Sequence, residues 1–338
     1  MLACNFVQVN RLWRGIAERF LYSAFYVGER WRVRRFINTI KLNPNLAKQL
    51  RTLVIMPRKR VDVNPIILQM LSLCHRIDAI VVDSEIHSRP LHLFRSPNSR
   101  CFVLFSALGL SVKEFAAFMT NFNNYARLQV LELFIECDNT RPLPYLPEHI
   151  TFPSLHTLIL RYVQPLIGNV VGKWELPSLK ELLIRECDPL IITALLPLIQ
   201  RSYERLESFN ASLDILHDPA FHDIIRTPSF HLRSLTLHIP SPEHSLPPMH
   251  PALRPLFGHV FTLGISKIYW IGSKNQAEWV QFFSDSTYMP HLRSVLTDMK
   301  SSWLDTACAF EKVLEDRGVA FKGVTDDGST FVPIKRLQ

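Results

Sequence analysis

Apolar residues recur along this chain in the pattern Leu-x-x-Leu-x-Leu at nearly even intervals. The clearest copies are LQVLEL at residue 128, LHTLIL at residue 155 and LKELLI at residue 179. The first positions of ten aligned copies are Leu50, Ile77, Phe105, Leu128, Leu155, Leu179, Leu206, Leu232, Val260 and Leu292. Successive starts lie between 23 residues (105 to 128) and 32 residues (260 to 292) apart. Each copy predicts a short β-strand whose first, fourth and sixth positions face the core.

Segments with helical patterns lie between these strands. SVKEFAAFMTNFNNYAR (111–127) opens with Ser and has Glu three residues later, which is a capping-box arrangement. DPLIITALLPLIQRSYERL (188–206) opens with Asp-Pro, and residues 275–283 and 306–318 carry apolar residues at helical spacing. Strand and helix alternating at a period of about 26 residues predict an α/β fold of the irregular leucine-rich-repeat solenoid type. We expect a parallel sheet on its concave side and helices on its convex side.

Residues 46–300 resemble the leucine-rich-repeat family. Its consensus places Asn or Cys three residues after the third Leu, and Cys187 occupies that place in the repeat at residue 179. Val163, Arg58 and Pro240 stand there in other copies, so these repeats are irregular. They are similar to the divergent repeats of fungal F-box proteins.

The N-terminal stretch ACNFVQVNRLWRGIAERFLYSAFYV (3–27) resembles the second half of an F-box. The matching residues are Cys4, Val7, Trp13, Arg14, Ala17, Leu21 and Tyr22. RVRRFINTIKLNPNLAKQLRTLVI (32–55) follows as in basidiomycete F-box chains. The chain starts after the Leu-Pro-x-Glu segment and leading helix of an F-box, so docking to a Skp-type adaptor would require that upstream half. The alternative interpretation is that Trp13, Leu21 and Tyr22 form the apolar face of a capping helix.

Three regions are predicted. Residues 1–45 form a short helical N-terminal segment, the F-box remnant; residues 46–300 form the solenoid; residues 301–338 form a C-terminal helical cap and tail.

The 338-residue composition is that of a globular chain, with 47% hydrophobic residues but only 11 glycines. The net charge of +8 is concentrated at the N-terminus, because residues 1–60 hold 13 Lys and Arg against Glu18 and Glu29. The basic run ERWRVRRF (29–36) indicates an acidic partner surface, a nuclear import signal or a solvated helix face. Nucleic-acid binding is not expected, because no nucleic-acid module or aromatic stacking pattern accompanies the run.

Several site classes lack their sequence signatures. The six scattered cysteines show no zinc spacing, and neither a membrane span nor a signal peptide is expected, which favours the cytoplasm or nucleus. GNVVGKW (168–174) has the wrong spacing for a phosphate-binding loop and is interpreted as an ordinary loop. We therefore expect no enzyme, no cofactor and no metal, although an unrecognised enzyme remains a third alternative.

Function is expected to reside on the exposed sheet face, at the third, fifth and seventh positions of the strands. Apolar residues there are bordered by charges, which is typical of a protein-binding patch. The predicted partner-binding residues are Trp13, Arg14, Leu21, Tyr22, Glu132, Phe134, Ile159, Arg161, Leu183 and Arg185. The sequence predicts a monomeric protein-interaction module, either the substrate receptor of a cullin-type ubiquitin ligase or a scaffold with no ligase role. A merely tolerated exposed sheet is the remaining alternative.

Overall fold

The fold is α/β and divides into two compact units. Unit 1 comprises Met1–His156 and Trp174–Pro177, and unit 2 comprises Thr157–Lys173 and Ser178–Gln338. The structure, a computed structural model, describes residues 21–27, 29–55, 69–70, 72–74, 76–82, 104–111, 115–116, 126–136, 150–185, 190–213, 216, 219–225, 232–239, 251–266, 273–298, 304–324 and 331–333. The α/β class predicted from the alternating patterns is confirmed.

The described residues of unit 1 include five parallel strands that pair in chain order. Its strands are β1 (Ala24–Val27), β2 (Thr52–Ile55), β3 (Ala79–Val82), β4 (Leu104–Ser111) and β5 (Val130–Glu136). Helices α1 (Arg30–Leu42) and α2 (Pro44–Ala47) lie between β1 and β2. The predicted core positions of the copy at residue 128 (Leu128, Leu131, Leu133) are fully buried.

The described residues of unit 2 include eight strands, and each pairs with the next one along the chain. These are β6 (Thr157–Arg161), β7 (Glu181–Arg185), β8 (Ser208–Ser212), β9 (Ser234–His238), β10 (Thr262–Ser266), β11 (Ser294–Asp298), β12 (Ala320–Val324) and β13 (Phe331–Pro333). The pairing is parallel from β6 to β12 and antiparallel between β12 and β13. The helices are α3 (Pro165–Val171), α4 (Ile191–Ser202), α5 (Pro219–Ile225), a 3-10 turn (Pro251–Leu253), α6 (Arg254–Phe257), α7 (Ser273–Ser284) and α8 (Leu304–Asp316).

Strands of unit 2 alternate between buried and half-exposed residues, because successive side chains of a strand point to opposite faces. In β6, Leu158 and Leu160 are fully buried while Thr157, Ile159 and Arg161 are half-exposed. β7, β8 and β9 keep the same alternation. The predicted inward and outward positions of these four copies are therefore confirmed.

Strand β1 is a repeat copy that the pattern did not predict. Its Ala24 pairs with Thr52 of β2, so Tyr22 stands where Leu50 starts the next copy. Helix α1 covers this strand through Phe36, whose ring stacks on Phe25 at 3.8 Å between ring centroids. The predicted helical N-terminal segment (1–45) thus contains a strand that joins the sheet.

The register of β4 corrects the alignment of the copy at Phe105. Phe105 pairs with Leu131 and with Ile80, which are both fourth positions, so this copy starts at residue 102 and not at 105. The intervals from 77 to 102 and from 102 to 128 then become 25 and 26 residues. Ser111 is the last residue of β4 and not a helix cap. Of the predicted helix at 111–127, the structure describes only residues 115–116 as helical.

The C-terminal region also extends the sheet. Helix α8 agrees with the helix predicted at 306–318, but β12 then pairs with β11, and β13 pairs along the other edge of β12. The prediction of a helical cap and tail at 301–338 did not include these strands. The antiparallel β13 satisfies backbone groups that would otherwise form an open sheet edge.

The segment GNVVGKW is mostly helical, which corrects its interpretation as a loop. Gly168 lies inside α3 and Gly172 follows the last residue of that helix. A Cβ atom at Gly168 would lie 3.0 Å from Cβ of Ala194 in α4, and one at Gly172 would overlap the Ala194 carbonyl oxygen. The two glycines therefore permit close packing of α3 on α4.

Candidate functional site

The sheet of unit 2 has one face that packs against the core and one that is partly exposed. The exposed one, named here the open face, consists of the third, fifth and seventh positions of strands β6 to β11. Strand pairing places equivalent positions side by side, about 4.8 Å apart. The residues of each position therefore form a row across the sheet.

The predicted binding residues of unit 2 lie together on two rows of the open face. Ile159 pairs with Leu183 in the fifth-position row, and Arg161 pairs with Arg185 in the seventh-position row. All four side chains are half-exposed. The structure thus brings an apolar pair and a pair of cations onto adjacent positions of two neighbouring strands.

The arginine pair places two guanidinium side chains at directly paired positions of neighbouring strands. A guanidinium group carries several N–H donors in a fixed planar arrangement, which matches the two oxygens of a carboxylate. The seventh-position row therefore supplies hydrogen-bond donors beside the apolar pair.

The third-position row carries a carboxylate and hydroxyl groups instead of cations. The Thr157 hydroxyl donates a hydrogen bond to the Glu181 carboxylate at 2.9 Å between Oγ1 and Oε2. Ser208, Ser234 and Thr262 continue the row. A carboxylate and hydroxyl groups thus flank the apolar pair on one side, while the arginines flank it on the other.

From β8 to β10 the open face carries polar or small residues. Nδ1 of His238 lies 2.7 Å from the Ser266 hydroxyl oxygen. Gly264 is buried because the Thr236 side chain leans over it, and a Cβ there would lie 2.6 Å from Thr236 Oγ1. Asn210 lies between Leu183 and Thr236 in the same row. This half of the face offers hydrogen-bonding groups and no apolar pair.

The remaining predicted residues lie elsewhere. Glu132 and Phe134 are half-exposed on β5 of unit 1, at the fifth and seventh positions of their copy. Leu21 and Tyr22 immediately precede β1, and the ring of Tyr22 stacks on Phe36 at 6.0 Å. Trp13 and Arg14 are outside the described residues.

Sequence reasoning missed three exposed apolar residues in the segments that follow β6 and β7. Tyr162, Leu166 and Leu190 are each more than half exposed. Tyr162 follows β6 with a left-handed φ of 52°, and its backbone N–H donates to the Arg185 carbonyl oxygen at 3.2 Å. The pattern could not flag these residues, because exposure outside a strand depends on how each helix packs.

Cys74 is a buried free thiol among the described residues. Burial raises the pKa of the Cys74 thiol to about 11, so this thiol is protonated and a poor nucleophile at neutral pH. Within the described ranges, no cluster of three or more His, Cys, Asp or Glu side chains is arranged to hold a metal ion. Over the same ranges, no helix combines the length and apolar character needed to cross a membrane.

Comparison with known proteins finds likeness to solved structures but no family. No protein-family model matches this chain, and no curated protein matches it. Among solved structures, the crystal structure of a protein from Bacteroides fragilis is similar over 93% of this chain and 78% of that chain, at 10% sequence identity and a TM-score of 0.42. The function is therefore argued from this chain's own residues.

Proposed function

We propose that this chain is a non-enzymatic protein-interaction module of the leucine-rich-repeat type, which binds a protein target on the open face of unit 2. The repeat period, the parallel pairing of strands in chain order and the helices between strands support the solenoid assignment. In such folds each repeat buries its apolar side on its neighbours, and the exposed sheet remains available for binding.

The observation that carries the proposal is the juxtaposition of two residue pairs on β6 and β7. Ile159 and Leu183 place apolar area at the centre, and Arg161 and Arg185 place guanidinium groups beside it. Apolar contacts supply affinity, while arginines oriented by a rigid strand supply selectivity for carboxylates. A protein segment with an apolar side chain next to an acidic one fits this patch.

The test compares two double charge reversals of equal net charge. Arg161→Glu with Arg185→Glu alters the open face, whereas Arg127→Glu with Lys312→Glu alters exposed cations outside it. Proteins captured by the wild type and by the control, but not by the face variant, are then purified. We expect their dissociation constants to rise by about thirtyfold or more for the face variant, since residues at the centre of an interface contribute most of the binding energy.

Two results would contradict the proposal. A purified partner that binds the face variant as tightly as it binds the wild type would place its site elsewhere. Leu183→Ser offers a second check, because it removes apolar area without changing the charge. Leu183→Ser should lower the affinity for the same partner, and an unchanged affinity would exclude the apolar pair from the binding site.

The role of the module has two versions. In the first, the chain is the substrate receptor of a cullin-type ubiquitin ligase and acts in the cytoplasm or nucleus, as the F-box resemblance of residues 3–27 implies. In the second, it is a scaffold with no ligase role. The position of Tyr22 favours the scaffold version, because its half-buried ring packs on Phe36 and belongs partly to the core of unit 1.

Adaptor binding separates these versions. We expect the present chain not to retain a purified Skp-type adaptor at micromolar concentration. A stable protein–protein interface buries about 1,200 to 2,000 Å² of accessible surface in total, and half an F-box should bury less than that. A chain extended by the upstream F-box helix should retain the adaptor if the receptor version holds. Tight binding by the present chain that is lost in Trp13→Ala would show that the remnant docks by itself.

A further inference from the structure

Helix α1 in unit 1 exposes a continuous stripe opposite its buried side. Its buried residues are Val33, Phe36, Ile37 and Ile40, which are turned toward the strands it covers. At 100° per residue, Trp31, Arg35, Asn38 and Leu42 fall within about 60° of one another on the opposite side. Trp31 is 57% exposed and Leu42 is 88% exposed. Two large apolar side chains therefore face solvent at the two ends of one stripe.

Cations lie between and beside these apolar ends. Arg34 and Arg35 lie one turn from Trp31, and Lys41 lies beside Leu42; all three cations are exposed. The helix contains no acidic residue. Together with Trp31, Asn38 and Leu42, these cations define the surface named here the α1 stripe.

One described carboxylate pairs with a cation at the border of the α1 stripe. Arg32, at the border of the stripe, forms an ion pair with Glu29 at 3.1 Å, and its guanidinium group lies 5.3 Å from the centre of the Trp31 ring. Within the part of the chain that the structure describes, no carboxylate forms an ion pair with Arg34, Arg35 or Lys41. The positive field of these three cations is therefore available to a partner.

We infer that the α1 stripe binds an acidic polypeptide segment whose central carboxylates lie over the cations and whose apolar side chains contact Trp31 and Leu42. The two ends are 11 residues apart, which is about 16 Å along a helix. An extended segment of about five residues spans that distance. This second binding surface is independent of the open face and does not require the function proposed for it.

Other anionic partners fit the α1 stripe less well. A membrane-bound helix inserts its apolar side into lipid, but here Val33, Phe36 and Ile37 are buried within unit 1. Single-stranded nucleic acid is bound by several aromatic side chains that stack on successive bases, and Trp31 is the single aromatic residue on the exposed side of α1. An acidic polypeptide uses all parts of the stripe, including the apolar side chain of Leu42.

The experiment uses fluorescence anisotropy with labelled probes and the full chain. The main probe is a short peptide with a leucine at each end and glutamates between them, and its matched control replaces each glutamate by glutamine. A single-stranded oligonucleotide and vesicles containing an anionic phospholipid are the competing probes. We expect the chain to bind the glutamate peptide at low salt, to lose that binding as salt rises, and to bind the glutamine peptide at least about tenfold more weakly.

Variants locate the binding on the α1 stripe. Arg34→Glu with Arg35→Glu should lower the affinity for the glutamate peptide by about tenfold or more. Arg127→Glu with Lys312→Glu has the same net charge and should keep most of the affinity. Trp31→Ala and Leu42→Ser should each lower the affinity for the glutamate peptide severalfold without changing the charge of the chain. The four substituted residues of the α1 stripe are exposed, so we expect each stripe variant to unfold at the same temperature as the wild type.

Three outcomes would overturn the inference. The first is equal loss in both charge reversals, which would indicate attraction by net charge alone. The second is the absence of binding to the glutamate peptide at low salt. The third is tighter, Trp31-dependent binding of the oligonucleotide or of the vesicles, which would assign the α1 stripe to a different anionic partner.

Discussion

The packing of α3 on α4 can be tested at Gly172, because the chain contains a matched control for it. Gly172 and Gly258 both follow the last residue of a helix, with φ and ψ of −57° and −24° at Gly172 and of −59° and −23° at Gly258. Alanine adopts these angles without strain, so the backbone contribution to stability should be the same at both sites. That contribution is a gain of about 0.4 to 1 kcal/mol, which arises from the reduced entropy of the unfolded chain.

The two sites differ in what an added Cβ atom meets. At Gly258 its nearest neighbour is 3.4 Å away, at ordinary contact distance. At Gly172 it would overlap the Ala194 carbonyl oxygen, which belongs to the backbone of α4 and cannot turn aside. The helices must separate, and overpacking of this kind typically costs about 1 to 3 kcal/mol. Separation also strains the hydrogen bond that Arg201 Nη2 donates to the Gly172 carbonyl at 2.5 Å.

Equilibrium unfolding by denaturant, followed by circular dichroism, measures the difference. We expect Gly258→Ala to be as stable as the wild type or slightly more stable, and Gly172→Ala to be less stable than Gly258→Ala by about 1 to 3 kcal/mol, because the backbone gain is common to both variants. Equal stability of the two variants would refute the close packing of α3 on α4.

A double substitution identifies the contact more closely. In Gly168→Ala the added Cβ lies 3.0 Å from Cβ of Ala194, which is a side-chain atom that Ala194→Gly removes. Ala194→Gly costs about 1 kcal/mol by itself in a helix interior, and it should cost less than that in Gly168→Ala, because it removes the overlap. In Gly172→Ala it should cost as much as in the wild type, because the carbonyl oxygen remains. An equal cost of Ala194→Gly in both variants would contradict this geometry.

Three further predictions concern the core, a buried thiol and acid stability. Leu158→Ala should lower the free energy of unfolding by about 2 to 5 kcal/mol, because Leu158 is fully buried, and wild-type thermal unfolding would contradict the proposed strand register. Burial raises the pKa of Cys74 to about 11, so about one Cys74 thiol in a thousand is ionised at pH 8, and Cys74 should react with iodoacetamide only as the chain opens. Peptide mapping locates the label, and rapid labelling of Cys74 in the native chain would refute this. The Thr287 hydroxyl holds the pKa of Asp285 below its ordinary value, so ionised Asp285 stabilises the fold above a pH of about 4 and loses that contribution as the pH falls through its folded-state pKa. Asp285→Asn should therefore lower thermal stability at pH 7 more than at pH 3, and an equal effect at both would contradict this.

The leucine pattern by itself determined which positions of most strands are buried. Leu155, Leu158 and Leu160 were predicted as core residues, and all three are fully buried. Helices α4, α7 and α8 were also predicted close to their observed bounds. These predictions succeed because alternation in a strand and apolar spacing in a helix are local properties, which a short stretch of sequence contains in full.

Degenerate copies required the structure, because their side chains do not reveal the register. β1 reads Ala-Phe-Tyr-Val and lacks the leucines of the pattern, yet it pairs in register with β2. The copy aligned at Phe105 was displaced by three residues, because another apolar residue of the same stretch fits the first position equally well in sequence. Backbone hydrogen bonds between neighbouring strands select one register, and those bonds join residues about 25 positions apart.

The candidate surfaces divide in the same way. The alternation of β6 and β7 was enough to place Ile159 and Arg161 on the outward side of a strand, together with Leu183 and Arg185. Only the tertiary structure decided that Trp31 and Leu42 are exposed, because helix α1 has apolar residues on both sides and one side alone is covered by β1. Sequence determines the periodicity of each element, whereas the exposure of a side chain depends on which neighbour packs against that element, and distant parts of the chain supply that neighbour.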